Sequence, residues 1–299
     1  MSMKRFAVLM GGTSSEREVS LRSGAAVAKG LADAGFEVVP VTLISDSLDP
    51  LPRDVDAVFI ALHGGYGENG GVQRDLEALG LPYTGPNSAA SKIAMDKIAT
   101  KRVLETAGVP TAPYAVLERG DDRLPLELPV VVKPPRDGSS VGVYKVTEPG
   151  QWAESLAGAR AADPIGEVLV ESYIPGREWT VGLVGDTALP VVEIQAANGW
   201  YGFAEKYTAG TTKYVFPEAE GDIPLIAECQ RIAKAAFKAI GGRGMSRVDF
   251  RVTPEGKPFV LEINTVPGFT ATSLLPKAAA RAGMEFSELC AKIIGLAAC

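Results

Sequence analysis

Two segments in the last fifth of the chain carry side chains that could hold a cation. Arg247 and Asp249 lie two residues apart in one apolar stretch, and Glu262 and Asn264 have the same spacing in the next. Because successive side chains of a strand point to opposite faces, the two members of each pair share a face. The spacing therefore predicts a patch of oxygen ligands with a guanidinium beside it, provided that the two strands pair.

The segment between them, Thr253–Lys257, predicts a hairpin turn. A turn symmetric about Glu255-Gly256 would set Asp249 opposite Glu262, and the other two polar residues opposite each other. A bulged three-residue turn that starts at Pro254 would slip the register by one residue and break the patch. The sequence leaves both turns open.

The chemistry of this patch is that of a hard divalent cation. Two carboxylates and an amide oxygen suit a hard cation such as magnesium, which proteins usually share with the phosphates of a nucleotide. A solvated acidic hairpin is the alternative. The apolar flanks Gly244–Phe250 and Pro258–Ile263 favour the cation site, since the polar side chains interrupt strands whose other residues predict burial.

A second feature is the Gly/Ser-rich loop at Lys133–Gly142. Its glycines allow close approach of the backbone, Ser139 and Ser140 offer amide and hydroxyl donors, and Lys133 adds a point charge for a phosphate. The loop lacks the GxxxxGK[ST] pattern of a P-loop. Alone it could be a flexible connection, so its value as a phosphate site depends on the metal patch.

Composition narrows the classes of partner. The 299 residues carry a formal net charge of -6, and the pI is near 5.1, which disfavours nucleic acid and leaves small molecules. The three cysteines show neither CxxC pairing nor metal-ligand spacing, as is typical of a reducing compartment. No apolar run approaches the roughly 18 residues of a membrane span. We therefore expect a cytoplasmic protein without a membrane or nucleic-acid partner.

The elements that must position these residues follow an α/β pattern. Apolar strands at Lys4–Met10, Phe36–Leu43 and Ala57–Leu62, with a helix at about Glu16–Leu31, predict a parallel sheet. The crevice at the carboxyl ends of its strands would then receive Gly11–Glu16 and His63–Gly70.

Two further regions follow this sheet. The second predicts a helix at Ala94–Ala107, strands at Pro129–Lys133 and Glu167–Glu171, and the Gly/Ser loop between the strands. The third is rich in hairpin patterns and ends in helices near Leu274–Ala282 and Phe286–Leu296. We expect an N-terminal α/β substrate domain at 1–92, a central domain at 93–176 and a C-terminal domain at 177–299.

One motif matches a dinucleotide-binding pattern without its context. Gly65–Gly70 satisfies GxGxxG, which occurs in dinucleotide-binding dehydrogenases, but it follows the third strand, and no acidic residue stands about twenty positions on. His63, the only histidine of the chain, precedes this loop. Alone it could be a packed core residue; its place beside the loop and Glu68 favours a site role.

Taken in order, the motifs resemble the D-alanine–D-alanine ligase family of the ATP-grasp superfamily. The resemblance runs nearly the whole chain and rests on VLMGGTSSEREVSLRSG, FIALHGGYGENGGVQ, LPYTGPNSAASKIAMDK, VVKPPRDGSSVGV, EKYTAGTTKY, SRVDF and LEINTVPGFTATSLLP. It implies three α/β domains that hold ATP between the central and C-terminal ones. The implied reaction is ATP-dependent ligation of two D-alanines through a D-alanyl phosphate, for peptidoglycan precursor synthesis, with two Mg²⁺ or Mn²⁺ ions and a homodimer.

Carried over by position, the resemblance assigns roles to single residues. Glu16 would orient the ammonium group of the first D-alanine, with His63 nearby, and Ser139 and Tyr207 would join Glu16 in a hydrogen-bonded clasp. The ATP contacts would be Lys97, Lys133, Ser140, Glu171, Ile174, Glu178, Trp200 and Lys206. The metal ligands would be Asp249, Glu262 and Asn264, which agrees with the hairpin argument.

The remaining implied roles concern the second half-reaction. Arg247 and the backbone amide of Gly268 would donate to the tetrahedral oxyanion. Ser273, at a plausible helix start before Leu274, would meet the carboxylate of the second substrate. The polar loop at 201–212 is long enough to form a lid over the site.

Two alternatives stay open. The first is another ATP-grasp ligase that joins a different carboxylate and amine or makes a depsipeptide; Lys206-Tyr207 favours an amine. The second, more distant, is a non-catalytic nucleotide-binding protein, against which the complete set of polar residues stands.

Overall fold

The chain begins with a parallel sheet. The computed structural model describes residues 4–163, 165–196, 212–270 and 272–299. The first elements are β1 (Arg5–Gly11), α1 (Arg17–Asp33), β2 (Glu37–Leu43), β3 (Ala57–Ile60), a 3₁₀ turn (Gly65–Gly67), α2 (Gly71–Ala78) and α3 (Ser88–Met95). The strands run parallel in the order β2-β1-β3, and β1 and β3 are almost entirely buried. The loops after β1 and β3 therefore share one edge of the sheet, as predicted.

The helix predicted at Ala94–Ala107 is wrong in one respect, because the chain breaks it at Asp96. α3 ends at Met95, and α4 spans Lys97–Thr106. Asp96 is extended, with φ −91° and ψ 105°, and its carboxylate accepts hydrogen bonds from the backbone N–H groups of Ile98 and Ala99. Aspartate is a favoured N-cap because it satisfies amides that have no partner within the helix. The break makes Lys97 the first residue of α4.

The second region forms an antiparallel sheet with the order β4-β7-β5-β6. Its elements are β4 (Tyr114–Leu117), β5 (Val130–Lys133), β6 (Tyr144–Val146), a 3₁₀ turn (Pro149–Gln151), α5 (Trp152–Ala162) and β7 (Val168–Ser172). Helix α5 buries Leu156 and Ala159 against these strands. The Gly/Ser loop is the connection between β5 and β6.

The third region is built on a second antiparallel sheet. Its elements are β8 (Arg177–Val184), β9 (Thr187–Ala188), β10 (Val192–Ala196), β11 (Thr212–Val215), a 3₁₀ turn (Glu220–Asp222), α6 (Ile223–Ala239), β12 (Met245–Val252), β13 (Pro258–Asn264), α7 (Leu274–Arg281) and α8 (Phe286–Ile294). The strand order is β11-β10-β8-β12-β13, with β9 paired to β8. Helix α6 covers this sheet, and Leu104 of α4 joins the same core.

The hairpin β12–β13 combines the three-residue turn with the strand register that the symmetric turn would give at the patch. The turn is the three-residue one: Thr253 N–H bonds to Lys257 O at 3.0 Å, and Gly256 has a positive φ of 76°. Phe250 accordingly pairs with Val260, one residue out of the register that the symmetric turn would give. A β-bulge at Leu261 then inserts one residue and restores the register.

The predicted pairing of the patch is therefore confirmed. Asp249 lies opposite Glu262, and Arg247 lies opposite Asn264. The expectation that a three-residue turn breaks the patch is wrong, because the bulge compensates for the turn.

The end of the chain returns to the first sheet. Leu289, Cys290 and Ile293 of α8 share a core with Val27 and Leu31 of α1. This packing joins the first and third regions, and the boundaries expected near residues 92 and 176 stay predictions. Of the helices in the described ranges, not one is both long and apolar enough to span a bilayer.

The contribution of the Asp96 cap to stability can be tested by substitution. Arg136 donates to the Asp96 carboxylate at 3.0 Å. Replacing Asp96 with Ala should lower the free energy of unfolding by about 1–2 kcal/mol, because α4 loses its cap and Arg136 loses this partner. Asp96→Asn keeps a capping oxygen and should retain most of that stability. Urea unfolding followed by circular dichroism would compare them; equal losses in both variants would assign the effect to the ion pair.

Candidate active site

A cavity between the second and third sheets contains most of the predicted ATP contacts. It is lined by Lys97, Lys133, Ser140, Glu171, Ile174, Glu178, Asp249 and Glu262, among others. A second cavity opens towards the first sheet and is lined by Glu16, His63, Ser139, Arg247, Asn264, Gly268 and Leu274. Lys97, Asp137, Gly138 and Glu262 line both cavities. The predicted phosphate and substrate sites therefore meet at Lys97 and Glu262.

The hairpin patch lies at this junction. The Arg247 guanidinium donates to both oxygens of Asp249, at 2.8 and 2.7 Å. Thr180 of the neighbouring strand donates to Asp249 at 2.5 Å, and the amide nitrogen of Asn264 donates to it at 3.0 Å. Lys97 Nζ lies 3.6 Å from Glu262. Because its nitrogen faces Asp249, Asn264 has its amide oxygen left as an acceptor.

The donors of this patch fit magnesium better than zinc. Within the described ranges no cluster of three or more His, Cys, Asp or Glu residues could hold a metal. Asp249, Glu262 and Asn264 instead offer oxygen atoms alone, and only a few of them. Magnesium is usually bound by one or two carboxylates, with water and substrate phosphates as its other ligands. The three residues therefore fit a metal that is held jointly with a nucleotide.

The Gly/Ser loop closes onto the first sheet through Glu16. Ser139 Oγ donates to Glu16 Oε1 at 2.5 Å, across 123 positions of sequence. Ser139 and Ser140 both have positive φ, 52° and 59°, a conformation that side-chain-bearing residues rarely adopt. Two such residues in succession cost on the order of 1–3 kcal/mol each, and such strain is concentrated at functional sites. The Glu16–Ser139 half of the predicted clasp is formed in the structure.

The base of the loop is held by charged contacts. Arg136 donates to Asp96 at 3.0 Å and to both oxygens of Asp163 at 3.2 Å, and it forms an ion pair with Glu167. Lys97 Nζ donates to the backbone oxygen of Asp137 at 2.7 Å. The loop is thus tied to the start of α4 and to the end of α5, and these contacts fix the position of its base.

A buried charge triad orients Lys133. The Glu171 carboxylate, 2% exposed, forms ion pairs with Lys133 and with Lys101, whose Nζ lies 2.5 Å away. Burial alone would raise the pKa of Glu171, but the ammonium groups of Lys133 and Lys101 outweigh it and lower the pKa to about 2. Glu171 is therefore ionised, and its carboxylate pairs with the ammonium groups of Lys101 and Lys133.

At the far end of the first cavity, Arg251 fixes the predicted nucleoside contacts. It donates to Glu178 at 3.2 Å and to the backbone oxygens of Ile174 and Gly176 at 3.1 and 2.8 Å. Arg251 is itself buried. These contacts hold Ile174 and Glu178 in place at the cavity wall.

The predicted second-substrate residues lie at the start of α7. Ser273 is its N-cap residue, as expected, but its hydroxyl makes no capping bond and accepts from Thr270 N–H at 3.0 Å instead. Leu274 and Gly268 line the second cavity, and Ser273 does not. Trp200, Lys206, Tyr207 and most of the predicted lid lie outside the described residues.

Sequence reasoning missed Lys101 and Arg251, although their spacing carries a signal. Lys101 is four residues after Lys97, on the same face of a helix, and Arg251 is two residues after Asp249, on the same face of β12. Both residues follow from the sequence when the helical spacing is continued one turn beyond Lys97 and the strand alternation one repeat beyond Asp249.

Comparison with known proteins agrees with this architecture. The family model "D-ala D-ala ligase C-terminus" matches residues 103–295, and "D-ala D-ala ligase N-terminus" matches residues 44–86. A D-alanine–D-alanine ligase of Anaeromyxobacter dehalogenans strain 2CP-1 is 45% identical over 302 residues, covering 99% of this chain and 97% of that protein.

Solved structures give the same result. The D-alanine–D-alanine ligase of Bacillus anthracis complexed with ATP superposes with a TM-score of 0.85 at 35% identity, covering 98% of this chain and 97% of that one. The VanG D-Ala:D-Ser ligase of Enterococcus faecalis superposes with a TM-score of 0.85 at 29% identity, covering 99% of each chain.

The fold and the arrangement of the site define an enzyme of the ATP-grasp class, a ligase. The chain belongs to the D-alanine–D-alanine ligase family, whose activity is the ATP-dependent joining of two D-alanines. The fold class, family and type of reaction expected from the sequence are thereby confirmed.

The charge triad predicts a specific loss of stability. Lys101→Met should lower the free energy of unfolding by about 3–5 kcal/mol, because a buried carboxylate loses one of its two cations. Since the folded pKa of Glu171 is depressed, its contribution is present above its ordinary pKa of 4.5 and is lost as the pH falls towards 2. The free energy of unfolding of the variant should therefore vary less with pH between 4.5 and about 2 than that of the wild type.

Urea midpoints between pH 7 and pH 3 would measure this effect. Arg102→Met, an exposed cation on the same helix, is the control and should leave both the midpoint and its pH dependence near the wild-type values. A Lys101→Met protein with an unchanged slope would remove Lys101 from the account of Glu171.

Proposed function

We propose that this chain forms D-alanyl-D-alanine from two D-alanines and ATP, through a D-alanyl phosphate, for peptidoglycan precursor synthesis. The observation that carries the proposal is the position of the hairpin patch. It lies where a cavity whose lysines and backbone donors suit a nucleotide meets a second cavity that is lined by Glu16 and Arg247. A carboxylate bound in the second cavity would lie next to phosphates held in the first.

ATP occupies the cavity between the second and third sheets. Lys97 and Lys133 face its phosphates, the backbone and hydroxyl of Ser140 add donors, and Ile174 and Glu178 meet the nucleoside. The structure of the Bacillus anthracis relative complexed with ATP supports the use of ATP. Glu171 contributes indirectly, since its carboxylate is occupied by Lys133 and Lys101.

The first D-alanine lies in the second cavity. Its ammonium group pairs with Glu16, whose carboxylate Ser139 holds at 2.5 Å. This contact fixes the substrate at one end, so that its carboxylate points to the junction near Lys97 and Glu262. Positioning of this kind supplies much of the catalysis in phosphoryl transfer, because little other chemistry is required of the protein.

The reaction then proceeds in two steps. A carboxylate oxygen of the first D-alanine attacks the γ-phosphorus of ATP, the bond to the β,γ-bridging oxygen breaks, and ADP leaves. The ammonium group of the second D-alanine loses a proton to solvent, and the resulting amine attacks the acyl carbon. The tetrahedral oxyanion then collapses, the bond from the acyl carbon to the phosphate oxygen breaks, and the departing phosphate takes the extra proton of the new amide nitrogen. Arg247 and the Gly268 amide donate to that oxyanion, where negative charge develops.

Asp249, Glu262 and Asn264 would hold magnesium or manganese at the junction. When bound, the metal supplies positive charge that offsets the charge of the transferring phosphoryl group. Lys97 lies against Glu262, and Arg247 lies against Asp249, so both carboxylates are oriented by a cation.

The second D-alanine approaches the start of α7, where Leu274 lines the cavity and the helix amides face a carboxylate. Trp200, Lys206 and Tyr207 complete the ATP site and the clasp in this proposal. A cytoplasmic homodimer is the proposed state of the enzyme, and it rests on family membership.

The direct test incubates the protein with ATP and Mg²⁺ and follows phosphate release, with products identified by mass. D-alanine alone should yield phosphate and the dipeptide in equal amounts, while L-alanine should give neither. Preferential formation of D-alanyl-D-serine or of an ester with D-lactate would replace the proposed second substrate. No phosphate with any of these would refute the proposed reaction.

Arg247→Ala should lower the turnover number by about 10²–10³-fold or more, because the oxyanion loses a charged donor. The affinity for Mg·ADP, measured by calorimetry, should stay within a few-fold of the wild-type value. Arg231→Ala, which breaks an exposed ion pair elsewhere, should change neither quantity. Turnover close to wild type would remove Arg247 from the chemistry.

Glu262→Gln should raise the Mg²⁺ concentration needed for half-maximal activity, because an amide oxygen is a weaker ligand than a carboxylate. Glu255→Gln is the matched control, since Glu255 is exposed at the turn of the same hairpin. A magnesium titration that is the same in both variants would exclude Glu262 as a ligand.

A further inference from the structure

Two buried side chains of the first region hold the segment that carries Gly268. His63 Nδ1 lies 3.0 Å from Val266 O, and His63 Nε2 lies 2.9 Å from Ser23 Oγ. Ser23 Oγ in turn accepts from Phe269 N–H at 3.1 Å. Ser23 is fully buried, and His63 is 4% exposed. A closed network therefore links α1 and the loop after β3 to the segment after β13.

The donors and acceptors of this network can be assigned. A carbonyl oxygen only accepts, so Nδ1 of His63 carries the hydrogen that bonds to Val266. Ser23 Oγ accepts from the Phe269 amide and donates its own hydrogen to Nε2. Every member is satisfied when Nδ1 donates to Val266 and Nε2 accepts from Ser23. The Glu68 carboxylate lies 3.7 Å from Nδ1, beyond hydrogen-bonding distance.

The anchors flank the donor that the reaction needs. Only Pro267 and Gly268 lie between the Val266 oxygen and the Phe269 nitrogen. Proline has a fixed φ and no N–H, so the conformational freedom of this short span resides mainly in Gly268. The freest residue of the span is thus the proposed oxyanion donor, and both of its flanks are fixed from another part of the fold.

Packing alone does not account for the network. Phe269 is already anchored by its ring, which lies 5.5 Å from that of Phe59 and 5.6 Å from that of Phe286. The hydrogen bonds add direction, because they fix the peptide planes on either side of Gly268. A polar network whose groups are all paired rigidifies the segments that it joins, which argues for a role in orientation.

We propose that Ser23 and His63 are positioning residues that orient the Gly268 amide towards the reacting acyl carbon. The inference rests on the proposed function, in which that amide stabilises the oxyanion. It also changes the role expected for His63. Both ring nitrogens are engaged by the protein, so His63 acts through the Val266–Phe269 segment and does not bind substrate through a ring nitrogen.

The test uses Ser23→Ala, with Ser20→Ala as the matched control. Ser20 lies one turn earlier on α1, is equally buried, and bonds to the backbone of Gly11 and Ala61 at 2.9 and 2.6 Å. Both variants should lose similar stability. Only Ser23→Ala should lower kcat for dipeptide formation, by about tenfold or more, since misplacement of a catalytic donor by about 1 Å can cost 10²-fold. KM for ATP should be unchanged.

Variants of His63 provide a second measurement. In His63→Asn the amide nitrogen can lie near the position of Nδ1 and keep the bond to Val266, whereas His63→Ala loses both bonds. We expect kcat to fall in the order wild type, His63→Asn, His63→Ala, with KM for D-alanine little changed. A raised KM for D-alanine with unchanged kcat would make His63 a substrate contact and overturn the proposal.

Two further outcomes decide the inference. Ser23→Ala with kcat within twofold of wild type, or equal losses of kcat in Ser23→Ala and Ser20→Ala, would overturn it. Failure of the proposed function is a separate result, because the wild-type protein would then form no dipeptide at all.

Discussion

The active site depends on the register between β12 and β13. Asp249 must face Glu262 for the carboxylates to share a cation, and Arg247 must face Asn264 to lie beside them. The three-residue turn alone would prevent this pairing, and the bulge at Leu261 restores it. Since a one-residue slip sends side chains to the opposite face, this single inserted residue decides whether the patch exists.

Residues that serve this patch come from every part of the fold. The first sheet supplies Glu16, the second supplies Lys133 and the Gly/Ser loop, and α4 supplies Lys97 through the helix break at Asp96. Each is held by buried or partly buried polar contacts: Ser139 on Glu16, Glu171 on Lys133 and Arg136 on Asp96. The charges are thereby oriented before substrate binds, which is the condition for electrostatic stabilisation of a transition state.

The sequence predicts the patch well because strand periodicity is a local property. Arg247 and Asp249 share a face whatever the rest of the chain does. Family resemblance added residues such as Glu16, whose contact with Ser139 no local pattern contains. The break at Asp96 was missed because the apolar pattern continues across it, although aspartate is a common N-cap.

Other features could not be read from spacing at all. The bulge at Leu261 depends on how β13 pairs along its length, and both possible turns were compatible with the sequence. The bond between Ser23 and Phe269 joins residues 246 positions apart, so only the folded chain brings them together. The same holds for His63, whose ring nitrogens are satisfied by groups from two distant segments.

The most direct test of the hairpin account is the anomalous diffraction of manganese in crystals grown with ADP and Mn²⁺. The account predicts a manganese peak with oxygen atoms of Asp249, Glu262 and Asn264 within about 2.0–2.6 Å, shared with the nucleotide phosphates. Manganese bound to the nucleotide alone, with these three side chains turned away, would contradict it.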